Sequence, residues 1–136
     1  MAKGKPTRLT PLEALIMDCI WDLGDVTVRQ VQERLEAVKP MAYNTVLTMM
    51  RILRRKGFLA SKRERRTDIY RALVGREQMA RRSLDELLDR FFAGSAAALV
   101  SELLESEDLS DGEIKAIRRE VNAKLRAKGA PKGGAR

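Results

Sequence analysis

The hydrophobic period of this chain changes at Gly57, and that change limits the folds open to it. Before Gly57 apolar residues recur at steps of three and four; after it they fall into two short runs around a charged tip. Thr10-Pro11-Leu12-Glu13 is a capping-box pattern with proline at the first helical position. Leu12, Leu15, Ile16, Cys19, Ile20 and Leu23 follow on one stripe, and Gly24 ends the segment. Cys19 lies inside the stripe and reads as a buried structural thiol. Trp21 stands one position off it, placed to pack on a second element. After an extended Asp25-Val26, Thr27 and Gln30 repeat the capping box, with Val28, Val31 and Leu35 as the inner face and Pro40 closing the helix or its exit loop. A third helix is predicted over residues 43–56, with Val46, Met49, Met50 and Leu53 inward and Gly57 as its left-handed stop. No Ser or Asp caps its start.

Residues 58–63 and 69–74 read as two strands of a hairpin, joined by the tip Glu64-Arg65-Arg66-Thr67-Asp68. Three helices followed by a hairpin make a winged helix-turn-helix, and the charge agrees with that topology. The formal charge is +8, with 15 of 27 basic and 8 of 19 acidic residues lying before Gly75, so the excess is concentrated in the first part. Residues 51–66 alone carry Arg51, Arg54, Arg55, Lys56, Lys62, Arg63, Arg65 and Arg66 against Glu64. Clustered cations of this kind are the electrostatic footprint of a phosphate-binding surface, although a charge run taken alone reads more readily as a solvated face. On the third helix Asn44, Thr48, Arg51 and Arg55 share one side, with Tyr43 and Thr45 at the opening turn. Short polar groups first and cations last suit a helix whose leading end enters the major groove. Arg65 and Arg66 then stand at the wing tip, beside the DNA backbone, with Lys62 on the strand leading to it.

From Arg76 the pattern is helical again. Ala80, Leu84, Leu87, Leu88 and Phe91 recur at helical spacing, Phe92 is one step off, and Gly94 breaks the run. Ser95 caps a short helix bearing Leu99, Val100, Leu103 and Leu104, and Ser110 with Glu113 forms a third capping box ahead of Ile114, Ile117, Val121 and Leu125. Three short helices cannot bury so many large apolar groups among themselves, so Leu84, Leu87, Leu88, Phe91, Phe92, Leu99, Val100, Leu103, Leu104, Ile117 and Val121 are expected to form an oligomer interface. The expected organisation is mainly α: a flexible basic start (1–8), a winged-helix domain (9–75), a three-helix dimerisation region (76–127) and a flexible basic tail (128–136).

Composition removes several other classes. Without His and with one Cys, the chain lacks the ligands of ordinary zinc sites and the usual imidazole base, so neither a metal nor a cofactor is expected. Ser, Asp and Lys occur in no recognisable nucleophile-base spacing, so no enzymatic role is expected. The longest nearly apolar stretch, 91–100, falls short of the roughly 20 residues of a membrane helix. No signal-peptide core follows the basic start, and a cytoplasmic location without membrane insertion is expected. A winged-helix protein-interaction adaptor that does not read DNA remains the alternative, because fold alone does not settle function.

The sequence resembles the penicillinase-repressor family, the BlaI/MecI/CopY type of bacterial winged-helix repressors. The resemblance is carried by Leu9-Thr10-Pro11-Leu12-Glu13, Ile16-Met17, Ile20-Trp21, Ala42-Tyr43-Asn44-Thr45-Val46, Arg51-Ile52-Leu53, Lys56-Gly57-Phe58-Leu59 and Glu107-Asp108-Leu109-Ser110. It implies a homodimer that binds a palindromic DNA operator and represses a nearby operon, joined through its C-terminal helices. By position it implies base or phosphate contacts from Tyr43, Asn44, Thr45 and Thr48, a backbone or guanine contact from Arg51, and wing contacts from Arg65 or Arg66. It also implies a sensor or protease partner that relieves repression. Two departures limit it: Cys19 alone cannot supply a copper site, and Glu102-Leu103 stands where β-lactam-responsive members carry a cleaved Asn-Phe bond.

Overall fold

A computed structural model describes residues 8–129. The element order is α1 (Pro11–Leu23), α2 (Val28–Leu35), α3 (Tyr43–Arg55), β1 (Leu59–Glu64), β2 (Thr67–Ala72), α4 (Arg76–Phe91), α5 (Ala96–Leu104) and α6 (Asp111–Gly129). Three helices followed by an antiparallel hairpin is the winged-helix arrangement expected from the sequence.

Both N-terminal capping boxes form. Thr10 and Glu13 exchange side-chain and backbone hydrogen bonds at the start of α1, and Thr27 and Gln30 do the same at α2. The core gathers most of the predicted stripes, Ile16, Cys19 and Ile20 from α1, Val28, Val31 and Leu35 from α2, and Val46, Met50 and Leu53 from α3, and adds Met17, which lies off the predicted stripe. Phe58, Leu59, Tyr70, Val74 and Met79 complete it. Met49, expected inward, is half-buried at the core edge, and Leu23 at the end of its stripe is exposed. Asp25-Val26 does extend: Val26 bridges Tyr70 through paired backbone bonds of 2.9 and 2.7 Å, which fastens the wing to the α1–α2 connection.

The hairpin differs from its expected boundaries. Strand pairing runs from Leu59↔Ala72 to Glu64↔Thr67, so the tip is the two residues Arg65 and Arg66 rather than five. Both have positive φ, 50° and 69°, as a two-residue turn with the twist of the flanking strands requires. The usual sequence signal for this turn is Asn-Gly, and its absence hid the turn. Val74 lies beyond β2 and is buried in the core.

Trp21 finds its second element: Nε1 donates to the Val74 carbonyl at 2.8 Å, and the Arg76 guanidinium lies 5.4 Å from the ring centroid. Arg76 also donates to Asp18 at 3.1 Å and to Asp22 at 2.9 Å, and hydrogen bonds to Asp22 and Asp18 push its guanidinium pKa further up. The start of α4 is thereby tied to α1.

The chain divides into two compact units, ending and beginning at Glu86 and Leu87, so the division falls inside α4. Arg8 belongs to the first unit and pairs with Glu86 at 2.7 Å. In the second unit Ser95 caps α5 through the Ala98 amide, and the Ser110–Glu113 box caps α6. Helix α6 continues through Lys128 and Gly129, two residues past the expected start of the tail, because 111–129 keeps a helix-compatible composition up to the glycine. The remainder of the expected tail, and residues 1–7 of the expected basic start, lie outside the described residues.

Candidate nucleic-acid interface

The orientation of α3 follows from its burial. Val46, Met50 and Leu53 are fully buried, which turns Asn44, Thr45, Thr48, Arg51 and Arg55 to the exposed side with Tyr43 at the leading end. The N-cap residue Ala42 makes no side-chain capping bond, and the first turn contains no acid. The other end is held firmly. Gly57, at φ 94°, lets the Phe58 amide reach the Leu53 carbonyl at 2.9 Å and the Gly57 amide reach that of Arg54 at 3.1 Å. Lys56 Nζ then donates to both carboxylate oxygens of Glu13, at 2.8 and 3.0 Å. Burial raises the Glu13 carboxyl pKa, but hydrogen bonds from Lys56 and Thr10 outweigh that and leave it below the ordinary value.

The alternation of β1 separates its cations. Arg63 faces the α3 side, where its Nη1 donates to Asp68 at 3.1 Å directly across the hairpin. Lys62 points to the opposite face, pairs with Glu64 at 3.2 Å, and lines a small cleft with Asp25, Ala60, Ser61, Ile69 and Arg71. Lys62 is therefore separated from the other predicted contact residues.

An open cleft of about 460 Å³ lies between the start of α2, the exposed side of α3 and the wing. Of the predicted contact residues it brings together Tyr43, Arg51 and Arg66. Asn44, Thr45, Thr48 and Arg55 are exposed on α3 outside its lining, and Arg65 is exposed at the turn. Five further polar lining residues lie outside the expected contact set: Thr27, Arg29, Arg63, Thr67 and Asp68. Arg29 left a signal, being a cation in the first turn of α2, where the helix dipole disfavours positive charge. The cleft holds four arginines and one carboxylate, Asp68, so it attracts anions. Its open form and its four arginines suit a chain of phosphates better than an enclosed small molecule.

Elsewhere, burial pushes the Cys19 thiol upward, away from the reactive thiolate. Among the described residues no group of three or more His, Cys, Asp or Glu side chains could hold a metal, and no helix is long and apolar enough to cross a membrane.

The penicillinase repressor family model matches residues 9–123. The chain belongs to the penicillinase repressor family. This is a family of transcriptional regulators, and the match takes in every element from α1 to all but the last turns of α6. A relative in Mycobacterium tuberculosis, Transcriptional regulator BlaI, is 34% identical over 118 residues, covering 85% of this chain and 84% of its own. The Methicillin resistance regulatory protein MecI of Staphylococcus aureus is 25% identical over 121 residues, covering 89% of this chain and 98% of its own. Among solved structures, the DNA-binding domain of the repressor BlaI superposes with a TM-score of 0.50 at 23% identity, covering 57% of this chain and 93% of that domain. That likeness supports the winged-helix fold of this penicillinase repressor family member.

Proposed function

We propose that this protein is a sequence-specific, DNA-binding transcriptional repressor that acts as a homodimer on a palindromic operator. The observation that carries the reading is the arginine-lined cleft between α2, α3 and the wing, set beside the exposed Asn44, Thr45 and Thr48. Helix α3 enters the major groove with these residues at base edges, while Arg51, Arg55, Arg65 and Arg66 meet phosphates. Lys62, on the far face of the hairpin, contributes through long-range charge. The family membership and the BlaI and MecI relatives support the repressor role.

The dimer rests on the second unit and the turn of α4, with Leu84, that precedes it in sequence. Neither α5 nor α6 buries a residue, and α4 buries Met79 alone. Phe91 is 70% exposed and Leu125 62%, with Leu84, Leu87, Val100, Leu103, Leu104 and Val121 also exposed, and Leu88, Phe92, Leu99 and Ile117 half-buried. A unit this small without a core of its own is stabilised by pairing with a second copy. The test is sedimentation of the free chain and of its complexes with duplex DNA at two salt concentrations. Two chains per duplex are expected, and with six to ten phosphates contacted, affinity falls by roughly three to five decades between about 50 and 200 mM salt. A monomer in the micromolar range, or binding that ignores salt, contradicts the reading.

A further inference from the structure

Arg29 stands where helix formation disfavours a cation. It sits two residues after the Thr27 N-cap of α2, in a first turn that holds no acid, where the helix dipole opposes a positive charge. Among the described residues no carboxylate pairs with it. Instead its Cζ lies 5.5 Å from the centroid of the Tyr43 ring, the first residue of α3. Tyr43 is 40% exposed, so burial alone leaves the ring part of its freedom, and the Arg29 guanidinium is the charged group set against it.

We propose that Arg29 is a positioning residue for Tyr43, holding the phenol ring at the leading end of α3 and so sharpening discrimination between DNA sequences. The proposal rests on the DNA-binding reading above. The leading end of such a helix is the part that reaches base edges, and a phenol offers an apolar face to a thymine methyl and a hydroxyl to a neighbouring acceptor. A ring already held in place loses less rotamer freedom when DNA arrives, and the preference for the correct sequence rises accordingly. Arg51, Arg63 and Arg66 line the same cleft and supply phosphate charge there, and of these four cleft arginines it is Arg29 whose guanidinium lies against an aromatic ring.

The experiment measures the ratio of affinities for a selected duplex and a scrambled one, with Arg29→Met, Tyr43→Ala and the double variant. Arg29→Met is expected to cut the ratio by roughly two- to five-fold, the size of an exposed cation–π contact, and to have no effect on the ratio in the Tyr43→Ala background. Loss of a phosphate charge alone instead weakens both duplexes equally in both backgrounds, and that result overturns the proposal. Arg29→Lys keeps the charge and is expected to restore salt dependence but only part of the ratio. In the free protein the Arg29 side-chain protons should carry an upfield ring-current shift that Tyr43→Ala removes; its absence also overturns the proposal. A wild-type chain with no sequence preference overturns the repressor reading itself, a result distinct from a selective wild type that Arg29→Met leaves unchanged.

Discussion

Lys56 Nζ grips both carboxylate oxygens of Glu13, joining the C-terminal cap of α3 to the capping box that starts α1. The side chain of Glu13 is 6% exposed and that of Lys56 39%, so the pair is half-sheltered and ties the end of α3 to the start of α1. Lys56→Met strands a buried carboxylate and is expected to cost about 1–3 kcal/mol, less than a fully buried pair because Lys56 is partly solvated. Chemical denaturation measures it, and a change within a few tenths of a kcal/mol contradicts the assignment.

The same pair gives a pH dependence with a definite sign. The folded-state pKa of Glu13 is lowered, so its stabilising contribution is present above the ordinary carboxylate value of about 4.5 and is lost as pH falls through the lowered value. Glu13→Gln should therefore flatten the acid limb of the stability profile relative to wild type. An unchanged acid limb in that variant places the titrating group elsewhere.

Arg65 and Arg66 occupy left-handed backbone, at φ 50° and 69°, which L side chains adopt at a cost. The double substitution of Arg65→Asn with Arg66→Gly supplies the residue types this turn favours and should stabilise the fold by about 1 kcal/mol. The same change should weaken binding to every DNA sequence alike and flatten the salt dependence by roughly one to two phosphates per subunit. Melting and binding curves moving in the same direction would contradict a functional reason for the arginine pair.

The Tyr70 hydroxyl is fully buried and has no hydrogen-bond partner among the described residues. Tyr70→Phe removes an unsatisfied polar group while keeping the ring, and should be neutral or stabilising by up to about 1 kcal/mol. A loss exceeding about 1 kcal/mol in denaturant titration would reveal a partner for the hydroxyl.

Asp68 is the one carboxylate lining the arginine cleft, paired with Arg63 at 3.1 Å. Asp68→Asn frees that guanidinium and removes a charge that repels phosphate, so affinity for specific and scrambled DNA should rise together and their ratio should fall or hold. Weaker binding to both would mean that Arg63 needs Asp68 to be held toward DNA.

The elements were legible where their determinants are local. Thr10 with Glu13, Thr27 with Gln30 and Ser110 with Glu113 announce helix starts within four residues, and the apolar stripes name the core. The tip was misread because two arginines carry none of the usual turn chemistry. The cleft was only partly legible: Tyr43, Arg51 and Arg66 stand out from composition, but Arg29, Arg63 and Asp68 meet them only after three separate segments fold together. Strand alternation separates Lys62 from Arg63 within the expected strand as within the observed one, which a charge run alone cannot do.

Selection of bound duplexes from a random DNA pool tests the central claim most directly. The account predicts a palindromic winner with half-sites about one helical turn apart, bound by two chains, and Asn44→Ala or Thr45→Ala eroding its advantage over scrambled DNA by about 1–3 kcal/mol each. No enriched sequence, with weak binding that disappears at physiological salt, contradicts it and reduces the basic face to electrostatics alone.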